Sequence, residues 1–286
     1  MIIKQIDKFK MYLYDKGGVS GDLLERGQRE PEFMWIAKTE IEGNVGMDLG
    51  SNIGYFSLFL CDKMSKVICI EPDKRSRKLL KKNIDLNNFS HKTKIYDFAI
   101  SDKNGYKKIY LAKINSNLST LCKQGFSKKD KYKSLKVETR TIDSLNLEEL
   151  NFIKMDIEGY EVEVLNGGLE TFNRSSNCKI LLEVHPQFYC KDRDFSVVLN
   201  KLVQMGFVFK YVVSAAKVVP DLFKKRGYSP VKVFDTGNHI RGIYEGIKTE
   251  DAINFCSKKH EQKYFCKNAN KYKISKKIVR SILLVK

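Results

Sequence analysis

The chain has 286 residues, 42% of them hydrophobic, and its 52 Lys and Arg outnumber 34 Asp and Glu to give a net charge of +18. That size and apolar content exclude a disordered or fibrous chain and suit one large α/β domain or a domain with an appendage. The seven cysteines, Cys61, Cys69, Cys122, Cys178, Cys190, Cys256 and Cys266, are odd in number and never form CxxC, so they read as reduced core residues of a cytoplasmic protein.

No stretch approaches the roughly 20 apolar residues needed to span a bilayer, and the N-terminus lacks a signal-peptide pattern. Residues 1–43 read as a lead-in or lid that ends in a helix from Pro31 to Glu42, with proline in its first turn. The main domain, 44–247, opens with strand 44–49, helix 54–64, strand 66–71, helix 74–88 and strand 93–100. Such alternation predicts a doubly wound, mostly parallel sheet. After a polar turn at 101–105, Tyr106–Leu111 and Leu135–Thr141 read as strands of a neighbouring hairpin, with Lys113–Lys133 a mobile loop over the site. Strand 151–155, helix 158–170, strand 178–184, helix 194–205 and strand 207–213 resume the pattern, and Val231–Phe234 with Arg241–Tyr244 read as a terminal antiparallel pair. Residues 248–286 read as a basic helical extension. Between 258 and 286, ten basic residues face one acid, Glu261, and supply half the net charge. Ile274, Ile278, Ile282 and Val285 recur at helical spacing among Lys273, Lys276, Lys277 and Arg280, which predicts an amphipathic helix peripheral to an anionic membrane.

The most informative segment runs from Val45 to Gly54, VGMDLGSNIG, followed by Val67-Ile-Cys-Ile-Glu-Pro-Asp73. It reads as strand, glycine turn, helix, strand and acid, half of a nucleotide-type site. Glu71 follows Gly50 by 21 residues, close to the spacing of about 20 that lets an acid bind vicinal ribose hydroxyls. A dinucleotide loop offers bare N–H groups to a pyrophosphate. Here the turn is GxxxG with Asp48 two residues before it, and a carboxylate there attracts a cationic ligand. The pattern therefore favours S-adenosylmethionine, a sulfonium without phosphate, over NAD. Farther on, Asp156 and Glu158 end one strand, while Glu183 and His185 share a side of the next, so an imidazole and several carboxylates converge at the carboxyl edge. His185 is the expected base for a hydroxyl proton, with Asp156 and Glu158 orienting the acceptor. No metal is expected, although Asp156, Glu158 and Glu183 could hold a divalent cation. His91, His239 and His260 have no partner at zinc-ligand spacing.

Taken in order, these motifs resemble the FkbM family of S-adenosylmethionine-dependent methyltransferases. The resemblance rests on Glu30-Pro31, MDLGSNIGYFS at 47–57, IEPD at 70–73, AISD at 99–102 with Gly105, TIDSL at 141–145, FIKMDIEGYE at 152–161 with VLNG at 164–167, and LEVH at 182–185. It covers about residues 20–190. It implies a class I, Rossmann-like methyltransferase sheet of seven strands with the last antiparallel, and methyl transfer to a hydroxyl of a glycan, lipid-linked sugar or small metabolite. Carried over, Asp48, Gly50, Ser51, Asn52 and Gly54 would hold the methionine end of the cofactor, Glu71 its ribose and Asp97-Phe98 its adenine, with Glu30 closing over it. Two rivals are a nucleic-acid methyltransferase and a basic nucleic-acid or membrane-surface binding module with a vestigial cofactor site. Against the first, the strand end reads Asp156-Ile157-Glu158-Gly159 and lacks the Asn/Asp-Pro-Pro-Tyr/Phe signature. Against the second stand the intact Asp48, Gly50, Gly54 and Glu71.

Overall fold

A computed structural model describes every residue except 16, 113–118, 123–131, 190–191, 216–218, 236–239 and 258–277. The chain opens with strands β1 (Ile2–Ile6) and β2 (Phe9–Leu13), an antiparallel pair, then helices α1 (Gly18–Arg26) and α2 (Pro31–Glu40). The first winding is β3 (Val45–Leu49), α3 (Tyr55–Lys63), β4 (Lys66–Ile70), α4 (Lys74–Leu86) and β5 (Thr93–Tyr96). The predicted strand 93–100 divides, because β6 (Ala99–Ile100) leaves to join a second sheet with β7 (Gly105–Ala112), β8 (Ser119–Thr120) and β9 (Tyr132–Arg140). Most of the expected loop Lys113–Lys133 lies outside the described residues; of the rest, Thr120 and Cys122 are anchored to the Glu158 and Gly159 carbonyls. The chain returns through β10 (Phe152–Met155), α5 (Glu161–Asn166), α6 (Leu169–Arg174), β11 (Lys179–Glu183), α7 (Phe195–Gln204) and β12 (Val208–Ser214). It ends with α8 (Val219–Lys225), β13 (Lys232–Asp235), β14 (Ile240–Tyr244), α9 (Thr249–Cys256) and β15 (Val279–Val285).

The main sheet has nine strands in the order β13-β14-β12-β15-β11-β10-β3-β4-β5. From β5 to β11 all neighbours are parallel, and β15 runs antiparallel to both β11 and β12. Helices cover both faces. Met47, Leu49, Ile68 and Ile70 pack into one core layer, while Val67 and Cys69 pack into the other with α3 and α4. Burial on both faces explains the unbroken apolar runs. The chain leaves β3 towards β4 on one side and returns to β10 on the other, so the switch point that leaves a crevice beyond the strand ends falls between β3 and β10. Helix 158–170 of the sequence reading is two short helices, broken at Gly167, where a Cβ would strike the Ser101 carbonyl oxygen. Among the described residues no helix is long and apolar enough to cross a membrane, and Cys61, Cys69, Cys122, Cys178 and Cys256 are free and buried.

The expected amphipathic tail is corrected over 279–285. Ile282, Leu283 and Leu284 are fully buried, and β15 hydrogen-bonds in register with Lys179–Glu183 on one side and with β12 on the other. A strand inserted between two others buries both faces, so apolar residues that matched a helical stripe belong to a short continuous run instead. Ile274, Lys273, Lys276 and Lys277 lie outside the described residues. Deletion of 279–286 should therefore abolish cooperative thermal unfolding by circular dichroism. Leu283→Ala should cost about 2–5 kcal/mol in urea titrations, the usual range for a fully buried leucine.

Candidate functional site

Beyond the carboxyl ends of β3, β4 and β10 lies a cavity of about 1080 Å³, counting space open to solvent. The turn after β3 forms its floor. Gly50 has φ 74° and Gly54 φ 90°, and a Cβ on Gly50 would strike the Asp156 carbonyl oxygen, so only glycine lets the β3 and β10 ends approach this closely. Ser51 Oγ donates to the Asp48 carbonyl at 2.7 Å and closes the turn. The N-terminal segment contributes Arg29, Glu30, Phe33 and Met34 to the wall, and the second sheet contributes Ile109, Ser119 and Thr120.

Glu71 faces the cavity with both oxygens anchored. Oε2 accepts from the Asn52 N–H and Oε1 from the Asp73 N–H, each at 2.8 Å. Burial pushes its carboxyl up to about 7, against the pull of those two N–H groups. Asn52 sits at φ 50°, a conformation that points its N–H at Glu71. Around this end the lining is apolar, from Ile53, Ile70, Pro72 and Ile100.

Three expected cofactor contacts lie elsewhere. Asp48 is fully buried beneath the cavity: Oδ2 accepts from Ser57 Oγ at 2.5 Å, and Oδ1 lies 3.2 Å from Lys154 Nζ. Side chains alternate along a strand, which turns Asp48 toward α3, and Lys154 is its register partner on β10. Burial opposes the Lys154 charge, but Asp48 and Asp156 outweigh it and hold its pKa above the ordinary value. Lys154 itself reaches the cavity and donates to the Gly50 carbonyl at 2.9 Å. Asp97 is 75% exposed, 3.7 Å from Arg77, and Phe98 is buried against Tyr96 and the Arg140 guanidinium. Neither lines the cavity. The chain leaves the sheet after Tyr96, which carries both side chains away from the crevice.

The opposite wall is acidic. Asp156 and Glu158 line it directly, the latter at φ 55° in a turn held by Thr120 Oγ1 donating to the Glu158 carbonyl at 2.6 Å. Burial, then the Glu183 charge, raises the Asp156 pKa, and its Oδ1 is buried with no hydrogen-bond partner. His185 stands one layer behind, 2% exposed and outside the lining. Its Nδ1 lies 2.9 Å from Glu161 Oε1, and its Nε2 lies 3.3 Å from Glu158 Oε2 and 3.0 Å from Glu183 Oε1. The convergence of Glu183 and His185 read from strand alternation is present, but the ring does not face the cavity as the expected base would. Glu161 also accepts from the Tyr189 hydroxyl at 2.9 Å and the Gly159 N–H at 3.0 Å.

Sequence reasoning gave Arg280 to the tail and missed its place here. Its guanidinium pairs with Glu183, and Nη2 donates to Glu30 Oε1 at 2.8 Å. Burial opposes its charge, yet Glu183 and Glu30 hold its pKa above the ordinary value. Burial likewise opposes the Glu30 charge, and Arg280 with Arg29 overrules it and lowers that pKa. Only knowledge that β15 lies beside β11 could have found this residue.

The family model described as the methyltransferase FkbM domain matches residues 45–209. Among solved structures, the chain is similar to methyltransferase FkbM from Methylobacillus flagellatus at 19% identity and TM-score 0.36, over 50% of this chain and 33% of that one. It is also similar to Trm5b from Pyrococcus abyssi, at 15% identity and TM-score 0.41 over 85% and 55% of the two chains. An rRNA methylase from Streptococcus thermophilus matches at 9% identity and TM-score 0.39 over 77% and 98%. The chain thus spans a third of the length of the Methylobacillus protein, and no curated protein sequence matches it. With a family match across more than half of its length and a doubly wound sheet whose last strand is antiparallel, the protein belongs to the FkbM methyltransferase domain family and has the class I methyltransferase fold.

Proposed function

We propose that the protein transfers the methyl group of S-adenosylmethionine to a hydroxyl oxygen of a glycan or small-molecule acceptor. The observation that carries this reading is the cavity's division into two ends, one built around the anchored carboxylate of Glu71 and one walled by Asp156 and Glu158. The residues suit the cofactor. Each Glu71 oxygen keeps a lone pair for a ribose hydroxyl after its backbone bond, and Ile53, Pro72 and Ile100 offer an apolar bed for adenine. Asp156 supplies the negative charge that Asp48, committed to Lys154, and Glu30, committed to Arg280 and Arg29, do not. When bound, the cofactor provides an electrophilic methyl carbon on sulfur.

The acid wall then receives the acceptor. Methyl transfer needs the hydroxyl held in line with the methyl group and its proton accepted as the C–O bond forms. Asp156 and Glu158 border the space where that oxygen would sit, and burial with the Glu183 charge raises the Asp156 pKa, which favours its taking a proton. His185 acts through them, as a positioning residue held by Glu161.

Calorimetry with S-adenosylmethionine should show binding, and none should be measurable with NAD. Glu71→Ala should weaken the cofactor by about 1.5–3 kcal/mol, the range for hydrogen bonds to a charged group. Because the ionised carboxylate accepts from both ribose hydroxyls and the neutral acid does not, affinity should rise with pH through 7. Below that point it should fall roughly tenfold per unit, a dependence that Glu71→Gln should remove. Unchanged affinity in both variants would overturn the ribose assignment.

Turnover is separable from cofactor binding. Asp156→Asn should lower turnover about 10²–10⁴-fold, the usual contribution of a general base. A labelled-methyl assay against glycan, lipid and RNA pools should place the label in the first two, and label in RNA alone would sink the hydroxyl-acceptor reading in favour of a nucleic-acid methyltransferase.

A further inference from the structure

We propose that Asp156, Glu158 and His185 bind one divalent cation at the acceptor end of the cavity, a site that rests on the methyl-transfer reading for its purpose and not for its chemistry. One ligand atom from each residue lies within 4.8 Å of the other two. His185 Nε2 and Glu158 Oε2 are 3.3 Å apart, close to the roughly 3 Å that separates neighbouring ligands around an octahedral ion with bonds of about 2.1 Å. The carboxylate of Asp156 has one oxygen, Oδ1, that is buried without a hydrogen-bond partner, an acceptor that a cation beside it would satisfy.

The contacts behind the imidazole favour the same atoms. The Nδ1 of His185 meets the Glu161 carboxylate at 2.9 Å while Nε2 is turned toward both Glu158 Oε2 at 3.3 Å and Glu183 Oε1 at 3.0 Å, so the tautomer with its hydrogen on Nδ1 leaves Nε2 as the ring atom for a cation. A carboxylate behind a ligating imidazole is the usual arrangement that fixes tautomer and ring orientation at metal centres. Glu161 is itself held by Tyr189 and Gly159, which leaves the ring little freedom. A second trio, Glu30, Asp156 and Glu183, is equally compact. There, however, the Arg280 guanidinium already pairs with both glutamates. The cation position is therefore on the His185 side. Two carboxylates and one imidazole suit Mn²⁺ or Mg²⁺ better than zinc, which takes more nitrogen or sulfur. Asp156 and Glu158 face the cavity, so a cation between them would carry the acceptor oxygen at a remaining position and polarise its hydroxyl.

The test is titration of the full-length protein with Mn²⁺, read by the electron paramagnetic resonance signal of the free ion. One saturable Mn²⁺ per chain is expected, displaced by excess Mg²⁺. Glu158→Gln and Asp156→Asn should each weaken binding at least tenfold, whereas Glu42→Gln, an exposed acid away from the site, should not. Should Asp156→Asn fail to fold, Glu158→Gln, 27% exposed, decides alone. Absence of saturable binding, or binding unchanged in Glu158→Gln, overturns the site. Calorimetry with S-adenosylmethionine, once with Mn²⁺ and once in excess chelator, separates the two readings: cofactor binding without saturable Mn²⁺ binding rejects only the cation, and no cofactor binding under either condition rejects methyl transfer whatever Mn²⁺ does.

Discussion

The interaction on which the site depends is the buried triad of Arg280 with Glu183 and Glu30. Five carboxylates gather at one side of the cavity, Glu30, Asp156 and Glu158 lining it and Glu161 and Glu183 behind, and burying that many like charges is costly unless positive groups stand among them. Arg280 is a donor that reaches two of them from a third element, joining the start of α2, the end of β11 and the start of β15. A guanidinium fits this place better than an ammonium, because its planar fork meets two carboxylates at once and it stays charged when buried. The same logic repeats at the other side of the turn, where Lys154 neutralises Asp48 and braces the Gly50 carbonyl.

Strain accompanies this arrangement. Glu30, Asn52 and Glu158 all sit at positive φ, and all three line the cavity. Each such residue costs on the order of 1–3 kcal/mol and persists only where the surroundings enforce it. The enforcing bonds are on hand: Arg280 holds Glu30, Glu71 holds the Asn52 N–H, and Thr120 holds the Glu158 carbonyl. A helix start, a glycine turn and a strand end are thus each bent so that a polar group enters the crevice. Stability is given up at these positions and recovered in the sheet beneath.

Much of the fold was legible because its signals are local. The βαβ units from β3 to β5 and the strands β10 and β11 each announce themselves by an apolar run with a glycine or an acid at its end, and the Gly50-to-Glu71 spacing places both at one rim of the cavity. What could not be read depends on register. That Asp48 faces α3 and meets Lys154 follows from the β3 and β10 pairing, which no single motif states. Asp97 and Phe98 fall outside the cavity because the chain leaves the sheet after Tyr96, and a continuous strand 93–100 hid that exit. The segment from Ile278 to Val285 carries apolar residues at both helical and strand positions, and only the vacancy between β11 and β12 decides for a strand.

That last decision changes how the whole chain must be viewed. A tail with ten basic residues reads as an accessory, separable from the enzyme, yet its end supplies the strand that completes the sheet and the arginine that neutralises the site. Without the C-terminal residues Glu183 would lose its guanidinium partner and Glu30 would keep only Arg29 as a counter-charge. Assembly of the acid wall is tied to completion of the core. An incomplete chain would lack both, so loss of the last strand should be felt at the site and in the sheet together, while a change confined to Glu71 or Glu158 leaves the sheet intact and isolates the chemistry.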